Sequence, residues 1–255
     1  MIKFDTHIHT LPFSPDSKQG IADVLNRQKQ LPYGIILTEH MDYDCPSNLT
    51  FEFDIEEYFK TYGPHRDERF LLGIEMGLQQ SCLSRVARDI ENHPFDMVIG
   101  SIHTIGVDIS YSTFYKGKSK EEAYHIYFET MLEMIRAFPH FDTLAHIDYI
   151  CRYCPYPDPE IYISEYMEPL TAIFDELIAR GISLEINTRR LGNPESFRAV
   201  KDIYRLYASR GGKYVTVGSD AHYPDALGMH FDKAQEIIDT FHFIPVYYKN
   251  RKRIE

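Results

Sequence analysis

Short apolar runs alternate with longer amphipathic stretches along the whole chain. The runs predict seven strands, over Ile2–His9, Gly34–His40, Phe70–Met76, Phe95–His103, Asp142–Tyr149, Ile182–Thr188 and Lys213–His222. Between and after them, helical spacing of apolar residues appears near residues 20–31, 54–62, 80–92, 119–138, 160–180, 194–210 and 231–241. The punctuation agrees. Ser119 and Glu122 have the spacing of a capping box, and Asn193-Pro194 sets a cap residue before a first-turn proline. Gly63-Pro64, Gly181 and Gly211-Gly212 fall where helices should stop. Strand–helix units whose strands are rich in Ile and Val imply a parallel sheet flanked by helices. No linker, repeat or low-complexity tract interrupts the alternation, so residues 1–255 are expected to form a single domain. An open doubly wound sheet and a closed barrel both fit this pattern.

The polar residues decide between them. Strand one ends in DTHIH, strand two in LTEH, strand three in GIE, strand four in GSIH and strand seven in GSDAH, while strand five carries LAH and strand six EIN. Every strand therefore delivers a metal-capable or hydrogen-bonding side chain at its carboxyl end. In a parallel barrel those ends converge on one pocket. His7 and His9, two apart, share a face, as do Asp220 and His222. Asp5 lies one layer deeper on the same alternation and is expected to orient the His7 imidazole. Asp16, in the loop FSPDSKQG, adds a carboxylate at the same mouth. Glu39 should face away from its neighbour His40 and act structurally. His65, His93, His125, His140, His230 and His242 lie outside the strand ends and are read as ordinary core or surface residues.

Six histidines (His7, His9, His40, His103, His146 and His222) and three carboxylates (Asp16, Glu75 and Asp220) exceed what one four-coordinate ion needs. The count points to two or three divalent ions sharing a carboxylate, and the mixed nitrogen and oxygen donors suit Zn, Mn or Fe.

Composition narrows the function. A formal net charge of −11 disfavours a nonspecific nucleic-acid binder, which needs a broad basic surface. Clustered metal ions would still reverse the sign locally and admit a small anion. Cys45, Cys82, Cys151 and Cys154 do not form a disulfide framework, and the lone C-x-x-C at Cys151 lacks a second pair for a zinc site. With no signal peptide and no long apolar run, a cytoplasmic protein without membrane contact is expected.

The ordered set HIH, Asp16, TEH, GIE, GSIH, AHID and GSDAH resembles the polymerase-and-histidinol-phosphatase (PHP) family of metal-dependent hydrolases over nearly the whole chain. The strings HTLPFSPDSK, TEHMDYD, GIEMGLQ, HIDYICRY and LEINTRR resemble its histidinol-phosphate phosphatase branch most closely. The resemblance implies a distorted seven-stranded (β/α)7 TIM-like barrel carrying a trinuclear centre. His7, His9, Glu75 and Asp220 would hold one ion, Glu75, His103 and His146 a second, and Asp16, His40 and His222 a third, with Glu75 as the bridge. In some relatives a histidine replaces Asp16. Many also place the arginine a few residues beyond the position of Arg189 and Arg190.

The expected reaction is hydrolysis of L-histidinol phosphate, a step of histidine biosynthesis, by a metal-activated water attacking phosphorus in line with the leaving alcohol. Asp220 and His222 are the candidate acids for the departing alkoxide. Arg152, Arg189 and Arg190 are candidates to clamp phosphate, and Glu185 to bind the substrate's amino group or orient a ligand. Phosphotyrosine protein and nucleotide monoesters are the alternative substrates, and a noncatalytic metal-stabilised module is the alternative of another class. An amidohydrolase would need an eighth strand ending in a lone aspartate; here strand four ends in His103, and His222 follows Asp220.

Overall fold

The computed structural model describes residues 1–255. Eight parallel strands form one sheet in chain order: β1 (Phe4–Ile8), β2 (Gly34–Met41), β3 (Phe70–Gly77), β4 (Val98–Ser101), β5 (Thr143–Leu144), β6 (Ser183–Asn187), β7 (Tyr214–Gly218) and β8 (Ile244–Pro245). The expected count of seven is corrected by β8, a two-residue strand that pairs with the start of β7. The sheet curls back on itself. Past the end of β7, Asp220 N–H donates to the His7 carbonyl (2.8 Å) and His9 N–H to that of Ala221 (3.0 Å). β7 thus meets β8 at its start and β1 beyond its end, so the curl closes only at the carboxyl end.

The helices fill the connections: α1 (Ile21–Gln28), α2 (Ile55–Tyr62), α3 (Leu83–Asn92), α4 (Lys120–Ala137), α5 (Ile163–Arg180), α6 (Pro194–Ser209) and α7 (Phe231–Phe241). Their ends follow the residues that sequence singles out. Ser119 and Glu122 exchange the two bonds of a capping box at α4, and Asn193 Oδ1 accepts from Glu195 and Ser196 N–H at α6. Gly181 ends α5 at φ +70°, a left-handed conformation that glycine adopts without steric cost. No helix is long and apolar enough to cross a membrane.

The main apolar core lies between sheet and helices. A smaller cluster fills the floor of the curl with Phe4, Ile36, Leu71, Met97 and Ile99, closed from below by Val246 and Tyr248 of a C-terminal hairpin. Above this floor the inward positions turn polar, which places all the chemistry at one end.

Two strands depart from simple alternation. Phe4 faces the floor, and Ile8 joins the outer core. The register of β1 against β2 shifts between Asp5 and Ile8, so His7 rather than Thr6 faces inward. β5 spans only Thr143–Leu144 of the expected run, and a 3-10 turn at Tyr149–Arg152 soon follows.

Candidate metal centre

Glu75 sits at the middle of the upper barrel, fully buried and directly across the ladder from His40. Its Oε2 lies 2.6 Å from His40 Nδ1, 3.3 Å from His7 Nε2 and 3.6 Å from His9 Nε2. Its Oε1 lies 2.9 Å from His146 Nε2 and 3.3 Å from His103 Nε2, and accepts from Ser101 Oγ at 2.6 Å. One carboxylate therefore divides five imidazoles between its two oxygens, the disposition of a bridging ligand. Asp220 Oδ1 lies 3.4 Å from His9 Nε2 and 3.6 Å from His222 Nδ1. Asp16 reaches in from its loop, with Oδ2 at 3.0 Å from His222 Nε2 and 3.5 Å from His40 Nε2. All nine residues singled out by sequence come together here. Ligand atoms gather within 4.8 Å of one another in four overlapping sets: His7–His9–Asp220, His7–Glu75–His146, His9–His40–His222 and His40–Asp42–His103.

The cluster has the unmet valences that cations would fill. His7 Nε2, His9 Nε2 and Asp16 Oδ1 are buried without a hydrogen-bond partner, and His40 Nδ1 and Glu75 Oε2, though 2.6 Å apart, do not meet in hydrogen-bond geometry. A buried polar atom left unpaired costs about 1–3 kcal/mol, so several converging on one space are hard to account for without a ligand. The donor set of imidazole nitrogens and carboxylate oxygens fits divalent ions such as zinc.

Electrostatics within the cluster point the same way. Burial alone would hold His7, His40 and His103 in the neutral form, but facing carboxylates overturn it and raise all three well above the ordinary imidazole range: Glu185 and Glu75 for His7, Glu75 and Asp16 for His40, Asp42 and Glu75 for His103. Burial, reinforced by His40 and His222, lowers His9, and burial lowers His146. Burial pushes the Glu75 and Asp220 carboxyls up, yet His7 and His40 around the first and Arg152 and His7 beside the second drive both far below the usual range.

A supporting layer orients the imidazoles. Glu185 Oε1 lies 2.6 Å from His7 Nδ1, while Oε2 accepts from His146 N–H (2.8 Å) and Asn187 Nδ2 (3.2 Å). Fully buried beneath the cluster, Glu185 is placed to orient a ligand and does not face the cleft. The expectation for Asp5 is corrected. The parity shift in β1 turns it outward, where it accepts from Ser219 N–H and Oγ–H and from Gly228 N–H; burial pushes its carboxyl up to about 6. Glu39 acts structurally, accepting from Thr10 N–H and from Ser14 Oγ, whose hydroxyl also touches His9 Nδ1.

Asp42 was not anticipated. It lies 2.9 Å from His103 Nδ1 and packs where a Cβ on Gly77 would come within 1.9 Å of it. Its signal was present in HMD, because a residue two beyond His40 shares its face. Gly218 is a similar close approach: a Cβ there would fall 2.3 Å from Glu185 Oε1 and 2.4 Å from His7 Cβ.

The arginines separate. Arg152, buried on the turn after β5, donates through Nη1 to Asp220 (2.6 Å) and through Nη2 to Asn187 (3.0 Å), and its Nε is unpartnered. Arg189 is part exposed, with Nη1 3.6 Å from Asp220 Oδ1. Arg190 turns away from the cluster. It bonds Asp148 (2.8 Å), Glu160 (2.6 Å) and Ser196 (3.1 Å), so the expected phosphate clamp is corrected to a buried strut. A cleft of about 260 Å³ opens beside the cluster, bounded by Asp16, His40, Asp42 and His103 and by the rings of Phe51, Tyr111, Tyr149 and Tyr153.

A curled parallel sheet that gathers imidazoles and carboxylates at its carboxyl ends defines a class of α/β proteins built to assemble several divalent ions. The chain belongs to the PHP domain family, whose model matches residues 5–189; Asp220 and His222 lie beyond that match but join the same cluster. It is 41% identical to a probable histidinol-phosphatase of Clostridium acetobutylicum over 97% of both chains. It is 32% identical to the histidinol-phosphatase of Lactococcus lactis over the whole of both. The crystal structure of histidinol phosphate phosphatase from Lactococcus lactis, complexed with zinc, L-histidinol and phosphate, superimposes with a TM-score of 0.92 over 99% of each chain at 30% identity.

Proposed function

We propose that the chain hydrolyses L-histidinol phosphate to L-histidinol and phosphate in the cytoplasm as a step of histidine biosynthesis. The observation that carries this reading is the full-length likeness to a phosphatase holding zinc, L-histidinol and phosphate, joined to a cluster here whose buried donors lack partners. His7, His9, Glu75 and Asp220 would hold one ion, Glu75, His103 and His146 a second, and Asp16, His40 and His222 a third. Such ions supply positive charge for phosphate oxygens and lower the pKa of water.

The chain's own residues do the rest. Arg152, fixed by Asp220 and Asn187 and lying 5.1 Å from the centre of the Tyr149 ring, has a buried, unpartnered Nε–H beside the cluster that would donate to a substrate oxygen, and Arg189 would close the exposed side. The rings of Phe51, Tyr111, Tyr149 and Tyr153 offer flat faces to the substrate imidazole, and Asp42 and Asp108 set carboxylates beside its ammonium group. His222, with Nδ1 donating to the Asp220 carbonyl (2.9 Å), keeps Nε2 turned toward Asp16 and free for the third ion.

The test is phosphate release from L-histidinol phosphate beside phosphotyrosine and nucleotide monophosphates. Metal-loaded protein should turn over histidinol phosphate selectively, and both chelation and His103→Ala should abolish turnover. Preference for another ester would discard the substrate but keep the centre. No turnover of any ester by metal-loaded protein would overturn the reading in favour of a noncatalytic module.

A further inference from the structure

At the amino ends of the strands, opposite the histidine cluster, a cavity of about 530 Å³ opens among α3, the segment before β5, the end of α5 and the C-terminal hairpin. A second, of about 350 Å³, shares Gly181, Ile182 and Arg253 with it. Both volumes fall in the range of ligand clefts, about 300–1,000 Å³. Four cationic side chains line the pair (Arg180, Arg251, Arg253 and Lys213) against two carboxylates, Glu91 and Asp142. That is a local excess of positive charge in a chain of net charge −11.

Two of these four cations meet a carboxylate. Asp142 takes Arg251 Nε at 2.6 Å. Arg180 shares Glu176 with Arg136, two guanidiniums on one carboxylate. Arg253 and Lys213 meet no carboxylate; Arg253 sits over Tyr214, its guanidinium carbon 3.6 Å from the ring centre, and donates to the Gly181 carbonyl. Each guanidinium carries five N–H donors, and these contacts leave most of them free. Asn250 and Arg251, both at positive φ (51° and 62°), form the hairpin turn that sets Arg251 at the cavity. Ile90, Phe141 and Ile182 line one wall of the cavity with apolar surface, beside which charge-assisted bonds to an anion are less hydrated than in open solvent.

We propose that this cavity is a second anion site, separate from the metal centre, that takes a small phosphate- or carboxylate-bearing molecule through Arg180, Arg251 and Arg253. The test is equilibrium dialysis of the metal-loaded enzyme against radiolabelled orthophosphate. Two phosphates should bind per chain, one at each end. Chelated protein should keep one. Arg180→Gln/Arg253→Met should lose one and hydrolyse substrate at the unaltered rate. Crystals of the metal-loaded enzyme soaked in selenate should show anomalous density against the three guanidiniums. A single phosphate per chain that disappears on chelation, or two that survive the double substitution, would overturn the proposal and leave the arginines as caps for backbone carbonyls.

Discussion

Replacing Glu185 by glutamine keeps the size of the side chain and removes an acceptor from a place where each is used. One oxygen faces His7 Nδ1 at 2.6 Å, and the other accepts from the His146 amide at 2.8 Å and from Asn187. Glutamine has one oxygen for these donors, so its NH₂ must face either His7 Nδ1 or the His146 N–H. If it faces His7, the imidazole loses the acceptor that fixes its Nδ1–H tautomer with Nε2 free for a metal; if it faces His146, a buried amide goes unpaired. The unpaired group costs about 1–3 kcal/mol. Loss of an outer-layer partner of a ligating histidine typically costs 10–100-fold in metal affinity, about 1.4–2.7 kcal/mol. Glu185→Gln should therefore bind the ions held by His7 about 10–100-fold more weakly, as titrated against a competing chelator. Excess metal should restore much of the turnover number, and KM should change little at saturating metal. The competing expectation, that Glu185 binds the substrate's ammonium group, gives the reverse: intact metal affinity and a raised KM. That reverse result would refute the orienting role.

Arg190→Met removes one member of a buried network and leaves Asp148 and Glu160 uncompensated, so urea unfolding should show a loss of about 3–5 kcal/mol; an unchanged midpoint would return Arg190 to the list of substrate contacts. Arg152→Met should lower kcat/KM for histidinol phosphate by about 10²–10³-fold, the usual effect of deleting one donor to a developing charge, with a rate within a few-fold of the original counting against the clamp. In metal-free protein, carboxylates around His7, His40 and His103 raise their pKa values, so at pH 7 these rings carry protons that a metal must displace. Loading should release protons and weaken as pH falls, read by calorimetry in buffers of different ionisation enthalpy; a binding heat independent of buffer would refute that sign. Asp42→Asn should weaken the hold on His103 and lower metal affinity about 10–100-fold, measured by the same chelator competition, and an unchanged affinity would make Asp42 a packing residue against Gly77.

The centre was legible in sequence because parallel strands carry a simple rule: residues at their carboxyl ends meet. Eight residues scattered from His7 to His222 could be gathered on that rule alone, with Asp16 added from the loop after strand one, and the structure gathers them. What escaped depends on parity and register, which one residue can reverse. Strict alternation assigns Asp5 to His7, but the slip of β1 against β2 turns Asp5 toward Ser219 and leaves His7 to Glu185, a residue 178 positions away. No periodicity within strand one contains that fact, because it is set by how β1 packs on the floor through Phe4 and on the outer core through Ile8. Arg190 shows the converse. A guanidinium directly after strand six looks identical in sequence whether it faces anion or carboxylate, and only the fold brings Asp148 and Glu160 within reach. The eighth strand stayed hidden for a third reason: Ile244–Pro245 is too short to carry a period and exists only because β7 leaves its first residues open to a partner. Asp42 differs from all of these. Its spacing from His40 was as informative as that of His9 from His7, and Gly77, small where β3 ends, marks the space it occupies. Pairs two apart at a strand's carboxyl end therefore merit the same weight whether the second member is a histidine or an aspartate.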